Sequence, residues 1–301
     1  MSPYGPATFA KSPLVGLHDS WSADVAVVGV PFDLGVGFRP GTRWGPKSIR
    51  DMSVRFGSLG ASGSGYWDLR TRTTRGQASL VDVGDVEMVP LDWQQNFERI
   101  TAAVREIRTR KSLPFILGGD HAITFPNVRA FDDHKAITVV HFDAHFDYRD
   151  EVAGVRYGHG NVLRRVRELP FVDQIVSIGV RSLRTRCEDF DDFERDGNVC
   201  MPAWDIHDLG VASFVEQLPQ GRDIYITFDI DAMDPGIAPG TGTPEVGGMS
   251  FEQARAFLAL VCERNSLIGM DLVEVNPHFD PSYITGLLAA QLLVEVLGFN
   301  F

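Results

Sequence analysis

Asp143-Ala144-His145-Phe146-Asp147 and Asp229-Ile230-Asp231 place five ligand-type side chains behind two short apolar runs. His121 follows a third run, Phe115-Ile116-Leu117-Gly118-Gly119-Asp120. If Asp143, His145 and Asp147 leave the end of a strand, its period of two aims all three to one side, and Asp229 with Asp231 repeats the device. Carboxylates packed this closely repel one another unless a cation lies among them or some stay protonated. The economical reading is a site for two metal ions. Carboxylate oxygens and imidazole nitrogens without sulfur suit Mn²⁺ best, with Zn²⁺, Ni²⁺, Co²⁺ or Fe²⁺ as alternatives. Two such ions about 3.5–4 Å apart clamp a water and bring its pKa from about 15.7 towards 7, which makes hydroxide available at neutral pH. An isolated D-x-H-x-D can equally cap a turn after a strand; three clusters after three runs make the metal reading the stronger one.

The elements that must position these side chains are legible as apolar runs. Val25–Val30, Leu80–Val83, Phe115–Leu117, Ile137–Phe142, Ile175–Val180, Ile224–Phe228 and Leu267–Val275 are short, rich in Val and Ile, and apolar on both faces. That is the pattern of parallel strands covered on both sides. Amphipathic segments lie between them. Phe97, Ile100, Val104 and Ile107 share a helical face behind an Asp92/Gln95 capping pair, and Ser250 with Gln253 precedes the face of Phe257, Leu258 and Val261. Ile284–Leu297 is apolar enough for a buried helix. The alternation predicts one α/β domain on a mostly parallel sheet, residues 23–301, after an N-terminal arm, residues 1–22, that contains Pro3, Pro6 and Pro13. In such sheets sites form beyond the carboxyl ends of the strands, where the ligand clusters stand.

Composition narrows the class. The 301 residues are 44% hydrophobic and 23% charged, which is ordinary for a soluble globular protein. A net charge of −12 argues against a nucleic-acid surface, and two divalent ions would cancel part of the acidic excess. The three cysteines, Cys187, Cys200 and Cys262, are few and widely spaced, so a reducing compartment fits better than a disulfide framework. The N-terminus lacks a secretion-signal pattern, and no stretch is long and apolar enough for a membrane span. The expected location is the cytoplasm, with neither membrane nor nucleic acid as a partner.

Gly118-Gly119-Asp120-His121, Asp143-Ala144-His145-Phe146-Asp147 and Asp229-Ile230-Asp231-Ala232-Met233-Asp234-Pro235 resemble the three signature motifs of the ureohydrolases, the arginase and agmatinase family. Arg39–Pro46, Ala238–Glu245 and Val273–Pro277 look agmatinase-like, and the likeness runs from about residue 24 to residue 299 in unbroken motif order. The resemblance implies a three-layer α/β/α sandwich and two Mn²⁺ per subunit. His121, Asp143, Asp147 and Asp229 would bind one ion; Asp143, His145, Asp229 and Asp231 would bind the other, with Asp143 and Asp229 bridging. Glu274 would accept hydrogen bonds from a substrate guanidinium, Asp147 would hand a proton to the leaving amine, and His159 would exchange protons with solvent. The implied reaction is hydrolysis of agmatine to putrescine and urea by a metal-bridging hydroxide, in a homotrimer or homohexamer. Two departures touch neighbours of the site: Ala122 stands where Ser is common, and Gly158-His159-Gly160-Asn161 replaces Ser-His-Gly-Thr.

The far end of the substrate is where the reading branches. The stretch from Tyr148 to Gly158 contains Arg149, Asp150, Glu151 and Arg156. Asp150 or Glu151 would suit the amine of agmatine, whereas Arg149 or Arg156 would suit the carboxylate of 4-guanidinobutyrate or 3-guanidinopropionate. Formimino compounds and other guanidine derivatives stand further behind, and a metal-binding regulatory relative is the non-enzymatic alternative. Several residues have plainer readings. Asp234 before Pro235-Gly236 suits a turn, Asp120 suits an orienting role beside the ligands, and His278 is a weak candidate for the pocket. His18, His134 and His207 lack the strand-end pattern and read as surface or core histidines.

Overall fold

A computed structural model describes residues 7–301; residues 1–6 of the expected N-terminal arm, with Pro3 and Pro6, lie outside the described residues. The strands are β1 (Val25–Val30), β2 (Tyr66–Asp68), β3 (Thr73–Arg75), β4 (Leu80–Asp85), β5 (Leu113–Gly118), β6 (Ile137–Phe142), β7 (Val172–Ile178), β8 (Val199–Met201), β9 (Asp223–Asp229) and β10 (Ser266–Val273). Eight of them form one sheet in the order β4-β1-β5-β10-β9-β6-β7-β8, and each neighbouring pair is parallel. All seven apolar runs are therefore strands. The additions are β8, at one edge, and the antiparallel β2–β3 hairpin. Each of these is three residues long, too short for a period to register.

The helices are α1 (Gly45–Ser53), α2 (Gly57–Ser62), α3 (Trp93–Thr109), α4 (Thr124–Val128), α5 (Val162–Arg167), α6 (Cys187–Arg195), α7 (Ala203–Leu209), α8 (Phe251–Arg264) and α9 (Ile284–Asn300). Alternate strand residues feed two cores. Val27, Leu117, Val140, Ile226 and Leu272 pack with α1, α7, α8 and α9, while Val28, Ile116, Val139 and Tyr225 pack with α3 to α6. The result is the expected three-layer α/β/α sandwich, in which sheet residues are buried on both faces. Ser250 and Gln253 form a complete capping box on α8. Asp92 caps α3 through one bond from Gln95 N, 2.9 Å. The apolar run near the C-terminus is α9, buried between α1 and α8. No helix among the described residues is long and apolar enough to cross a membrane.

The chain before β1 covers the β4 edge of the sheet. Phe9 and Ala10 are fully buried, and Phe9 N donates to Asp82 Oδ2 at 2.8 Å. Arg50 of α1 grips the same carboxylate with Nε at 2.8 Å and a second nitrogen at 2.9 Å. One buried carboxylate thus ties together the N-terminal segment, a helix and an edge strand.

Candidate metal centre

The central strands β5, β10, β9 and β6 are consecutive neighbours. Their registers pair Leu117 with Leu272, Leu272 with Phe228, and Phe228 with Phe142, so the four strands end level. His121, Glu274, Asp229 with Asp231, and Asp143 through Asp147 stand at or just past those ends. Gly119 is required on the way to His121: a Cβ there would lie 1.9 Å from Phe32 O. Two of the candidates, Asp147 (φ 48°) and Glu274 (φ 63°), occupy the left-handed region that favours glycine. Non-glycine residues held there cost of order 1–3 kcal/mol each and cluster at functional sites.

The six candidate ligands form two nests. In the first, His121 Nδ1 lies 3.1 Å from Asp143 Oδ2 and 3.2 Å from both Asp147 Oδ2 and Asp229 Oδ2. In the second, His145 Nδ1 lies 3.2 Å from Asp143 Oδ1 and 3.2 Å from Asp231 Oδ2. Asp143 belongs to both nests through its two oxygens. Asp229 turns Oδ2 into the first nest, while its Oδ1 accepts from Asp231 N at 2.8 Å.

The donor set fits divalent ions. His121 Nδ1 is buried and has no hydrogen-bond partner, although three carboxylates ring it. Its other nitrogen, Nε2, sits 3.0 Å from Thr227 Oγ1, the kind of support that turns a ligating imidazole lone pair towards a metal. Electrostatics agree. Burial and the Asp231 and Asp143 charges push Asp229 well above the usual carboxylate range. Burial also raises Asp231, with Asp143 adding to it against the pull of His145. Asp143 would be raised by burial too, but His141, His121 and His145 hold it well below its ordinary value. Burial opposes the His121 cation, yet Asp143, Asp147 and Asp229 outweigh it and raise that imidazole. Metal cations would meet this concentration of buried negative charge directly.

His141 is a component that the sequence reading overlooks. It lies fully buried within β6, with Nε2 2.8 Å from Asp143 Oδ2 and Nδ1 2.9 Å from Ser177 Oγ. With Asp143 ionised, Nε2–H donates to the carboxylate and the Ser177 hydroxyl donates to Nδ1. The only available signal is a histidine inside an apolar run, two residues ahead of Asp143. Arg181 is also absent from the sequence reading. It is buried and donates to the carbonyls of Asp231 (2.8 Å), Ala232 (3.3 Å) and Met233 (3.3 Å), fixing the chain just past β9.

Above the nests a cavity of about 860 Å³ opens to the surface, with His145, Asp147 and His159 in its walls. Glu274 is buried and is not part of the wall itself. Its Oε1 accepts from His121 N at 2.9 Å and sits 3.2 Å from His159 Nδ1, while Oε2 has no partner. Burial opposes the His159 cation, but the hydrogen bond and charge of Glu274, with Asp147 and Asp120 behind them, hold its pKa at about 9. Asp120 orients its loop by accepting from Gly35 N (2.7 Å) and Ala122 N (3.0 Å); burial and Glu274 push it up to about 7.

Arg156 lines the cavity, whereas Asp150 does not. Asp150 accepts from Arg156 at 2.7 Å and from Arg165 at 2.6 Å, so two guanidinium groups already neutralise the carboxylate expected to meet an amine. Asp234 is a turn former, accepting from the backbone of Gly236, Gly247 and Gly248. His278 stands on a short 3₁₀ turn outside the cavity wall.

The arginase family model matches residues 23–298. The chain belongs to the arginase family. It is 37% identical over 281 residues to the guanidino acid hydrolase, mitochondrial, of Homo sapiens, covering 91% of this chain and 77% of that one. It is 36% identical over 281 residues to the mitochondrial agmatinase of Gallus gallus, covering 91% of this chain and 80% of that one. Among solved structures, the proclavaminate amidino hydrolase of Streptomyces clavuligerus superposes with a TM-score of 0.88 at 29% identity, covering 100% of this chain and 99% of that one. Like these arginase-family relatives, the protein is a hydrolase acting on amidino C–N bonds.

Proposed function

We propose that this arginase-family hydrolase uses two divalent metal ions to cleave the guanidinium group of a small guanidino compound into urea and an amine. The observation that carries the reading is the pair of nests sharing Asp143, with the unpartnered His121 Nδ1 in one of them, beneath an open cavity. His121, Asp143, Asp147 and Asp229 would hold one ion, and Asp143, His145, Asp229 and Asp231 the other. An oxygen and nitrogen donor set favours Mn²⁺, with Ni²⁺, Co²⁺ and Zn²⁺ as competitors. When bound, the ions would supply a hydroxide nucleophile at neutral pH, which a delocalised and weakly electrophilic guanidinium requires.

The protein's own groups account for the rest. Glu274 Oε2 is free to accept an N–H from the flat guanidinium, and a charge-assisted bond there would set the carbon over the nests. His121 N and His159 Nδ1 both approach Oε1, which leaves Oε2 as the acceptor for the incoming group. Asp147, in the cavity wall, would take up the proton released by the attacking oxygen and pass it to the departing nitrogen. His159, protonated at neutral pH and in the same wall, can replenish that proton from solvent.

For the far end of the substrate, sequence and geometry diverge. Agmatine, the substrate favoured by the sequence, ends in an ammonium and calls for a free carboxylate. Asp150 is already bound by two arginines. A guanidino acid is the reading carried forward, with agmatine as its rival, and the named relatives include both kinds. Urea release from Mn²⁺-loaded protein, with agmatine, 4-guanidinobutyrate, 3-guanidinopropionate, arginine and guanidine side by side, is the direct test. Asp229→Ala should lose both metal and turnover, whereas Glu274→Ala should keep the metal and lose substrate binding. Full activity in Glu274→Ala would remove the guanidinium seat.

A further inference from the structure

We propose that the outer wall of the cavity selects a carboxylate, taken by Arg184, so that the substrate is a guanidino acid with an apolar spacer. This rests on the amidinohydrolase reading and specifies the end of the substrate that does not react. Apart from His145, Asp147 and His159, the charged residues in the cavity wall are Arg149, Arg156, Arg184 and Asp189. Asp189 is buried and already engaged: Arg186 Nε donates to it at 2.8 Å, and Arg149 Nε lies 3.4 Å away. Arg149 is further occupied by donating to Arg184 O at 2.8 Å. Arg156 donates to Asp150 at 2.7 Å.

Arg184 is different. Its backbone is anchored, with N donating to Ser182 Oγ at 3.2 Å and O accepting from Arg149. Its guanidinium has no carboxylate partner among the described residues. The wall therefore offers a fixed stretch of chain bearing a free fork of donors, and no disengaged carboxylate. An ammonium brought here meets like charge. A carboxylate meets a planar donor pair that matches it bidentately. The local sign is cationic although the chain carries −12 overall.

The rest of the cavity wall is mainly apolar. Leu34, Val36, Trp93, Val152, Val155 and Tyr157 belong to it, and Trp93 stacks on Tyr157 with ring centroids 4.8 Å apart. Such walls accept methylenes and do not solvate a polar spacer. The volume of about 860 Å³ leaves room for chains longer than four carbons.

The test measures kcat/KM by urea release from the metal-loaded enzyme for ω-guanidino acids of increasing chain length, for agmatine, and for uncharged butylguanidine. The acids should exceed agmatine by on the order of tenfold or more, the worth of one charge-assisted contact. In Arg184→Gln the ratio of acid to butylguanidine should fall by a similar factor, chiefly through KM, and Arg184→Lys should recover part of it. Arg184 is exposed and is held through its backbone, so these variants should fold. A wild-type preference for agmatine, or an unchanged ratio in Arg184→Gln, overturns the assignment while leaving the reaction intact. Failure to release urea from any compound with metal bound overturns the amidinohydrolase reading, and this inference with it.

Discussion

At the scale of single residues, His141 and His159 do different kinds of work on neighbouring carboxylates. His141 is fully buried and holds one oxygen of Asp143, the carboxylate common to both nests. Replacing it with phenylalanine would remove the bond that fixes Asp143 Oδ2 and leave Asp143 held only through Oδ1 by His145. Supporting bonds of this kind are worth roughly 10–100-fold in metal affinity. Calorimetric titration of metal into metal-free His141→Phe should show a loss of that size, with the circular dichroism spectrum retained; wild-type affinity would exclude the role. His159 makes a prediction about pH. Its pKa in the folded protein is about 9, above the ordinary 6.5, because Glu274 and its acidic neighbours outweigh the cost of burial. A pKa raised on folding stabilises the native state fully below about 6.5, and that contribution is lost as the pH climbs through about 9. Thermal melts across this window should therefore slope downward in the wild type and more gently in His159→Gln, and equal slopes would contradict the assignment. Sequence exposes these two histidines unequally. His159 stands between glycines after a polar loop, where an imidazole is conspicuous. His141 lies in Val139-Val140-His141-Phe142 and reads as one more strand residue.

At the scale of elements, the strand ends carried the most legible information. D-x-H-x-D after an apolar run marks a chain leaving a sheet, and four parallel strands of matched register turn such local marks into one cluster. Pairings between distant elements were not legible. Nothing near Asp150 in sequence reveals that Arg165, on α5, reaches back to it. The join between α1, β4 and the N-terminal segment is another example. Arg50 and Asp82 are both buried, and Phe9 N uses the same carboxylate. Removing one partner of a buried ion pair strands the other charge, at a cost of about 3–5 kcal/mol. Arg50→Ala should lose stability of that order in guanidinium unfolding, although α1 supplies none of the candidate ligands. A loss below about 1 kcal/mol would mean that water reaches Asp82 once the arginine is gone.

At the scale of the whole molecule, the two-sided burial of the sheet was readable because its strands lack a polar face, while the three-layer sandwich came from the family resemblance. The short edge strand β8 and the β2–β3 hairpin were not, because three residues hold too little pattern. The site divides along the same line. Its candidate ligands stand at the ends of hydrogen-bonded central strands, whereas the outer cavity wall comes from connecting segments around Leu34, Arg156 and Arg184. These segments can lengthen, shorten or exchange charge without disturbing the register of β5, β10, β9 and β6. An architecture of this kind separates what is inherited from what can drift: the bond to be broken is written into the sheet, and the choice of molecule that carries it is left to replaceable loops.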